Sequence, residues 1–270
     1  MMILTDVQAV RACIALIAVA SLLQSTEMLA LRPLTSDQGI WRWKTLRQDF
    51  GFFPKSVIRV FDVLLGYSGF LGVLLARWFL SLCILMFYFI SADVPFFLLA
   101  LLLLTTVLVL LRWRGTFNGG SDFMTLVVLM AVTAAQFDPS SEKLRLGALW
   151  YIAIQTCASY FISGIIKLRK ENWRTGKALP GFLPSSSYET PKWVKRALAD
   201  PLAGRLFSWA TMIFECLFPL SLISPLACQC AIAGALLFHL SVFFLFGLNR
   251  FLFAWMSAYP ALYFCSQMKR

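Results

Sequence analysis

Residues Phe96–Leu111 read FFLLALLLLTTVLVLL and contain no charged side chain. A second apolar stretch, Ala227–Leu248, also lacks Asp, Glu, Lys and Arg, and its one histidine is His239. About 20 residues of α-helix, at a rise of 1.5 Å each, cross the roughly 30 Å hydrocarbon layer of a bilayer. Because backbone polar groups find no water in lipid, a helix is the favoured spanning structure. These stretches predict a membrane protein built from helices.

The composition of the 270-residue chain supports the same prediction. Hydrophobic residues make up 60% of the chain and charged residues 14%, whereas a soluble domain has about half and about a quarter. The formal net charge is +11, but the basic residues lie in the connections between apolar stretches, where they set topology and contact anionic lipid. We therefore exclude a soluble globular protein and a nucleic-acid-binding protein, and we expect the lipid bilayer as the main partner.

The pattern predicts an all-α fold: a polytopic transmembrane helix bundle of about eight spans with interfacial amphipathic helices. Residues 1–270 are expected to form a single transmembrane domain. The first span is not expected to be a cleavable signal peptide, because it is long, lacks a basic leader and contains Glu27. The predicted spans are residues 8–31, 69–91, 94–111, 121–137, 146–168, 205–225, 227–248 and 250–266.

Two long connections, Arg32–Lys55 and Arg169–Asp200, are predicted to lie at one face of the membrane, here called side A. The first connection combines basic residues with Trp41 and Trp43, which is typical of the headgroup level. In the second, a short amphipathic helix is predicted between Thr190-Pro191 and Asp200-Pro201. This helix either lies on the membrane or is a solvated connector. With eight spans, the excess of basic residues predicts that side A is cytoplasmic.

Polar residues at the ends of spans or within them predict a polar cavity entered from side A. Glu27, Lys167, Glu215 and His239 fall in the side A half of their spans. The segment Asn118–Asp122 opens the fourth span on the same side. Because a charge at mid-bilayer costs roughly 2.5–3.5 kcal/mol on insertion scales, such residues usually face a cavity and pair with one another.

Structural alternatives stay open for these residues. Lys167 is either a cavity residue or an interfacial lysine that snorkels to the headgroups. His239 is either a ligand-facing residue or a core histidine bonded to a backbone carbonyl. Glu215 is either paired or protonated and hydrogen-bonded. Ser121 or Asp122 is expected to cap the fourth predicted span, which is the structural alternative for that segment.

Seven cysteines occur in the chain, and most fall inside predicted spans, where a thiol behaves as a small apolar group. Cys228 and Cys230 form a Cys-x-Cys pair that is either a redox or metal pair or two ordinary apolar residues. No cluster of further ligands accompanies this pair in the sequence, so no metal site is predicted.

Four short motifs occur in a characteristic order after Ser36-Asp37-Gln38-Gly39. They are Arg114–Met124 (RGTFNGGSDFM), Tyr160–Trp173 (YFISGIIKLRKENW), Phe214–Pro219 (FECLFP) and Phe238-His239-Leu240. Together they resemble the membrane domain of vitamin K-dependent γ-glutamyl carboxylase and its bacterial relatives, the HTTM (horizontally transferred transmembrane) family. The resemblance covers most of the chain, and the Tyr160–Trp173 motif is its most specific part.

The resemblance implies that Lys167 is the lysine that deprotonates reduced vitamin K before a glutamate side chain is carboxylated. A reduced, vitamin K-like quinone is the implied cofactor. Gly120 stands where the carboxylase has a catalytic histidine, and the family orientation places the lysine on the lumenal side, opposite to the basic-residue prediction. Depth and resemblance together predict Lys167 and His239 as catalytic residues, with Asn118, Asp122, Glu27, Glu215 and Trp173 lining the cavity.

Two functions follow as expectations. The first is a carboxylase-like or quinone-linked membrane enzyme that modifies a peptide or a lipid-soluble substrate. The second is a non-catalytic membrane partner in the maturation, immunity or assembly of a secreted peptide or a membrane complex. A transporter ranks last, because the sequence lacks the paired broken helices or repeat halves of that class. The expected location is the bacterial cytoplasmic (inner) membrane.

Overall fold

The computed structural model describes residues 3–90, 93–113, 120–182, 191–247 and 249–268. Within these ranges 84% of the residues are helical and none forms a strand. The all-α prediction is therefore confirmed. The helices are α1 (Asp6–Ala30), α2 (Arg32–Thr35), α3 (Trp43–Leu46), α4 (Lys55–Leu65), α5 (Tyr67–Phe89), α6 (Phe96–Arg112), α7 (Ser121–Ala135), α8 (Glu142–Arg169), α9 (Glu171–Arg174), α10 (Ala178–Phe182), α11 (Lys192–Ala199), α12 (Pro201–Leu217), α13 (Pro225–Phe246), α14 (Asn249–Met256) and α15 (Tyr259–Gln267), with 3-10 helices at Arg47–Phe50 and Phe218–Leu222.

Four helices in the described part of the chain, α1, α5, α8 and α13, are long and apolar enough to cross a membrane. The helices α6 and α7 are apolar but shorter. Large apolar side chains stay exposed on the long helices, including Phe79, Ile154 and Leu237. Exposure of such surfaces to water has an unfavourable free energy, whereas contact with lipid acyl chains does not. These features are those of an integral membrane protein.

The chain forms two compact units, whose boundaries fall within α1 and within α8. We call Val10–Ala148 the N-unit, and Met1–Ala9 together with Leu149–Arg270 the C-unit. The single-domain expectation remains a prediction.

In the N-unit, a fully buried arginine joins three helices. Arg77 lies near the middle of α5. Its guanidinium donates to the Gln24 amide oxygen at 2.7 Å and the Ser25 hydroxyl at 3.0 Å on α1, and to the Thr106 hydroxyl at 3.0 Å on α6. A buried charge is tolerated when hydrogen bonds replace the lost hydration. Arg77 therefore couples α1, α5 and α6.

The connection after α1 is held to α4 by one carboxylate. Asp62 accepts hydrogen bonds from the Trp43 indole at 2.8 Å and from Arg47, whose Nε lies 2.7 Å from Oδ1. The bond from Arg47 and, more weakly, the bond from Trp43 hold the pKa of Asp62 below its usual value. The Trp43 and Phe50 rings pack in the same cluster, with centroids 5.7 Å apart. This first connection is thus folded onto the N-unit.

In the C-unit, the predicted amphipathic helix is α11. Val194 and Leu198 are buried, whereas Trp193 is 72% exposed. Asp200 then caps α12, because its carboxylate accepts a hydrogen bond from the Ala203 amide at 2.8 Å. The predicted cap Thr190 lies outside the described residues.

Prolines interrupt two of the predicted spans. The segment 205–225 is helical to Leu217 and then continues as a 3-10 helix, because Pro219 lacks the amide hydrogen that would bond the Glu215 carbonyl. The segment 250–266 is two helices, α14 and α15, separated by a turn at Ser257-Ala258. Pro260 in the first turn of α15 suits the start of a new helix. The expectation of one continuous helix in each segment is wrong.

Candidate functional site

The C-unit contains a nearly buried ion pair between α8 and α12. The Lys167 ammonium lies 2.7 Å from Glu215 Oε1 and 2.6 Å from Oε2, and it also donates to the Ser163 hydroxyl at 2.5 Å. The two charged side chains are 18% and 4% exposed. An ammonium group has three N–H donors, and these three acceptor atoms satisfy all of them.

Gly164 allows the two helices to approach closely at this point. A Cβ atom on Gly164 would lie 2.7 Å from the Cys216 sulfur, 2.9 Å from the Cys216 amide nitrogen and 3.1 Å from Glu215 Cβ. Such distances are shorter than van der Waals contact, so only glycine fits without a shift of the backbone. The glycine of the Tyr160–Trp173 motif thus brings α8 within reach of Glu215.

Helix periodicity places the polar groups of α8 on one face. Tyr160, Ser163 and Lys167 follow the i, i+3, i+7 pattern of a single helix face. At 1.5 Å per residue, Tyr160 lies about 10 Å along the helix from Lys167. The same face meets α12 at Glu215, and Pro219 ends the regular helix one turn later.

The ion pair also contacts an aromatic residue from the connection that follows α8. The Lys167 ammonium lies 5.2 Å from the centroid of the Trp173 ring, within the range of a cation–π contact. Helix α9, which carries Trp173, is tied to α12 because the Trp209 indole donates to the Arg174 carbonyl at 3.2 Å. Trp173 is half-buried, so this contact lies at the edge of the site.

A second polar group of the C-unit is enclosed by aromatic rings. The Tyr160 hydroxyl lies 2.7 Å from His239 Nε2 and 3.4 Å from the Tyr259 hydroxyl. The Tyr160 ring stacks on Phe218 with centroids 3.8 Å apart, and the His239 ring stacks on Trp255 at 5.3 Å. His239 Nδ1 and the Trp255 indole nitrogen are buried without a hydrogen-bond partner among the described residues.

The two polar groups share helix α8, which carries both Tyr160 and Lys167. The Phe214 ring contacts Tyr160 with centroids 5.9 Å apart. Three motifs of the sequence therefore meet in the C-unit: Tyr160–Trp173, Phe214–Pro219 and Phe238-His239-Leu240.

The structure brings together some of the residues predicted for the site. Lys167 contacts both Glu215 and Trp173, whereas His239 bonds Tyr160, about two turns away on the helix that carries Lys167. His239 bonds a tyrosine hydroxyl, whereas the structural alternative expected a backbone carbonyl. A common cavity for the full predicted set remains a prediction.

The other predicted residues belong to a different part of the chain. Glu27 and Asp122 lie in the N-unit, and Asn118 lies outside the described residues. Glu27 is half-buried near the end of α1. Asp122 is buried in the first turn of α7, where an acid suits the helix dipole. Since α7 begins at Ser121, with Gly120 as its N-cap, the expectation that Ser121 or Asp122 caps this helix is wrong.

Sequence reasoning missed four residues of these groups: Ser163, Tyr160, Tyr259 and Trp255. Ser163 lies four residues before Lys167, a spacing that predicts contact on a helix. Tyr160 opens the most specific motif. Tyr259 and Trp255 carry no such signal, because they lie in an apolar segment without a polar neighbour at helical spacing.

The described cysteines are free, and they make no paired site. Cys228 is buried and Cys230 is exposed, as expected for residues two positions apart on a helix, which point in different directions. This geometry disfavours the redox or metal pair. Within the described ranges, no group of three or more His, Cys, Asp or Glu side chains could hold a metal ion.

No family model, curated protein or solved structure matches this chain.

Proposed function

We propose that the protein is a carboxylase-like membrane enzyme in which Lys167 and Glu215 together transfer a proton from a lipid-soluble substrate. The observation that carries this proposal is their ion pair, with 2.6 and 2.7 Å contacts and almost no exposure. Buried ionisable residues within membrane helices most often serve function, because lipid penalises them. The motif resemblance supports the same assignment of Lys167.

The pairing changes the role expected for the lysine. The three acceptors around Lys167 stabilise its ammonium form, so we assign the resting state as ammonium and carboxylate. A substrate hydroxyl then loses its proton to a Glu215 oxygen, and the electron pair stays on the substrate oxygen. The nearby ammonium stabilises the resulting anion. We therefore propose the pair, rather than the lysine alone, as the general base.

A reduced, vitamin K-like quinone fits the residues of the site. Its hydroxyl group would be held by Glu215 and Lys167, next to the Trp173 ring that the Lys167 ammonium contacts. Two further buried polar atoms without partners, at His239 and Trp255, suit an oxygen-bearing aromatic ligand. When bound and oxidised by molecular oxygen, this cofactor would supply the strong base that removes a proton from a glutamate side chain before carbon dioxide adds. A secreted peptide is the proposed macromolecular substrate.

We also propose the finer topology: about eight spans in the bacterial cytoplasmic membrane. In this arrangement α6, α7, α12 and the α14–α15 pair cross the bilayer in addition to the four long helices. The exposed apolar residues Leu104, Met130 and Leu206 support lipid contact on three of these shorter helices. The broken α14–α15 pair is compatible with a span, because interrupted helices occur where protein buries the break.

A non-catalytic membrane partner remains the second candidate. All three N–H donors of the Lys167 ammonium are hydrogen-bonded within the protein, which favours this function. A fully hydrogen-bonded ion pair can hold two helices together without taking part in chemistry. In that case, Lys167 and Glu215 would fix the register of α8 against α12 in an assembly subunit for a secreted peptide.

Substitution of the pair in a purified system tests the enzyme. The protein in lipid nanodiscs is mixed with 2,3-dimethyl-1,4-naphthohydroquinone, and oxygen consumption and quinone absorbance are followed. Deprotonation of the hydroquinone speeds its oxidation by oxygen to the quinone and hydrogen peroxide. We expect Lys167→Met and Glu215→Gln to lower the protein-dependent rate about 100-fold, the lower range for loss of a general base.

The matched control is Lys170→Met, which removes an exposed lysine three residues after Lys167. It should retain the wild-type rate. The elution volume of each variant on size exclusion and its helical circular dichroism establish that it is folded. A wild-type protein that gives no rate above empty nanodiscs, or a folded Lys167→Met protein with full rate, would leave only the non-catalytic function.

A further inference from the structure

The aromatic cluster around His239 contains two polar nitrogen atoms that the described protein leaves unused. His239 is 2% exposed and Trp255 6%, and neither His239 Nδ1 nor Trp255 Nε1 has a hydrogen-bond partner there. Their rings stack at 5.3 Å with an interplanar angle of 26°. A buried polar group without a partner loses its hydration and gains nothing in return. Two such atoms on contacting rings indicate that something polar binds between or beside them.

Counting hydrogens assigns the tautomer of His239. If Tyr259 donates to Tyr160 and Tyr160 donates to Nε2, both hydroxyl protons are used and His239 carries its proton on Nδ1. In the reverse order, Nε2 donates to Tyr160, Tyr160 donates to Tyr259, and the buried Tyr259 proton has no acceptor among the described residues. The first arrangement satisfies more groups. His239 Nδ1–H and Trp255 Nε1–H are then both hydrogen-bond donors.

The surroundings discriminate between a water molecule and a ligand oxygen. The ring neighbours of His239 are Phe238, Phe251, Trp255 and Tyr160. A water that accepted from both N–H groups would still have two hydrogens to donate, and the Tyr160 hydroxyl is the one hydrogen-bond acceptor that these four rings carry besides His239, although a buried water typically makes about three hydrogen bonds. A carbonyl oxygen has no hydrogens, can accept both bonds, and presents an otherwise apolar body. The donor set therefore matches a carbonyl compound better than water.

We propose that His239 and Trp255 form a two-donor site for the carbonyl oxygen of an uncharged, lipid-soluble ligand. The ligand class assigned to this site rests on the proposed function. The oxidised quinone is the carbonyl-bearing form of the substrate proposed for Lys167 and Glu215. Its geometry stands independently of that pair. Trp255 and His239 hold the ligand and do not take part in proton transfer.

The test uses 2,3-dimethyl-1,4-naphthoquinone, which has no proton to lose. Both positions of the quinone ring next to the carbonyls are methylated, so that the free thiols of the chain cannot add there. Binding to the purified protein in nanodiscs is measured by calorimetry. Trp255→Phe removes the N–H donor and keeps an aromatic ring. Loss of one neutral hydrogen bond should weaken binding about five-fold.

The matched control is Trp193→Phe, a tryptophan of the same unit whose side chain is 72% exposed. It should bind the quinone as the wild type does. A direct readout that needs no variant is the infrared stretch of a ¹³C-labelled carbonyl. Two hydrogen bonds in the wild-type protein should lower its frequency relative to the quinone in empty nanodiscs, and Trp255→Phe should reverse part of that shift.

Equal affinity of the wild type and Trp255→Phe, an unshifted carbonyl stretch, or no binding above empty nanodiscs would overturn this site. Failure of the proposed function looks different. The hydroquinone rate tests the proposed function, and Glu215→Gln should lose that rate. A Glu215→Gln protein with full rate, together with weakened binding by Trp255→Phe, would reject the proton-transfer pair and keep the carbonyl site.

Discussion

At the scale of residues, the Lys167–Glu215 pair should be more costly to break than to remove. Replacement of one partner leaves a buried charge alone, which typically destabilises by about 3–5 kcal/mol. Replacement of both by apolar residues of similar size leaves no charge to solvate. We expect Lys167→Met and Glu215→Leu each to lower the melting temperature of the detergent-solubilised protein, and the double variant to recover most of the loss.

The double variant is the control for this prediction, since it combines the two side-chain changes of the single variants and leaves no unpaired charge. Thermal unfolding followed by circular dichroism measures all four proteins. If the losses of the single variants simply add in the double variant, the two side chains do not act as a pair.

The Asp62 cluster predicts a response to acid. Because Arg47 holds the pKa of Asp62 below its usual value, this carboxylate stabilises the fold above about pH 4 and loses that effect as the pH falls further. Protection of peptides from residues 41–65 against hydrogen exchange, measured relative to the intrinsic exchange rate at each pH, should therefore decrease below pH 4. In Asp62→Asn this decrease should be largely absent, because the ion pair with Arg47 is already lost at pH 7.

A control exists within the same connection. Arg42 bonds Thr45 at 2.9 Å, so Arg42→Gln should keep the acid response, whereas Arg47→Gln should lose most of it. Identical acid responses in Arg42→Gln and Arg47→Gln would contradict the assignment to Asp62.

At this scale, the residues that the sequence predicts are those whose polarity differs from that of their neighbours. Lys167, Glu215 and His239 were predictable as site residues because polar groups stand out against an apolar background. Trp255 and Tyr259 were not, since each carries a single polar atom on a large aromatic side chain in an apolar segment. The partner of each polar group depends on how helices pack, and α8 reaches α12 through a glycine contact that has no separate signal in one sequence.

At the scale of helices, the approach of α8 to α12 should be sensitive to one methyl group. Gly164→Ala places Cβ 2.9 Å from the Cys216 backbone nitrogen, so the helices must separate and the Lys167–Glu215 contact must lengthen. Overpacking of this kind typically costs about 1–3 kcal/mol. We expect a lower melting temperature and a reduced hydroquinone rate.

Gly147→Ala is the matched control on the same helix, because no atom lies within 4 Å of the added Cβ. Alanine favours an open helix position over glycine by up to about 1 kcal/mol, so this variant should be as stable as the wild type or more so. Equal effects of the two substitutions would show that close packing at Gly164 is unimportant.

Helix positions were predictable from apolar length, whereas helix breaks were not. The bounds of α5 and α13 lie within a few residues of the predicted spans, because long apolar runs have one favourable structure in lipid. The segments 205–225 and 250–266 contain Pro219 and Pro260, whose effect competes with the apolar pattern. The pattern shows that these segments are apolar and does not show where each helix ends.

At the scale of the whole molecule, cysteine labelling distinguishes eight spans from four. With eight spans, α12 crosses the membrane, so Ile223 lies on the side of Ser140 and opposite Lys195. With only α1, α5, α8 and α13 crossing, Ile223 lies on the side of Lys195. The measurement labels Ile223→Cys with an impermeant maleimide in oriented vesicles, in a background where the seven native cysteines are replaced.

Ser140→Cys and Lys195→Cys are the reference positions, since both native residues are exposed or half-exposed. We expect Ile223→Cys to label with Ser140→Cys, because we propose eight spans. Labelling together with Lys195→Cys would reject the α12 crossing.

The buried Arg77 has a consequence for how the chain is made. When α5 leaves the ribosome, its central guanidinium meets lipid unless hydrogen-bond acceptors are already present. Insertion of a helix with an arginine at its centre costs roughly 2.5–3.5 kcal/mol. Gln24 and Ser25 are synthesised earlier and Thr106 later. The nascent α1 must therefore wait beside the translocon for α5, and the order of synthesis itself supplies the first acceptors.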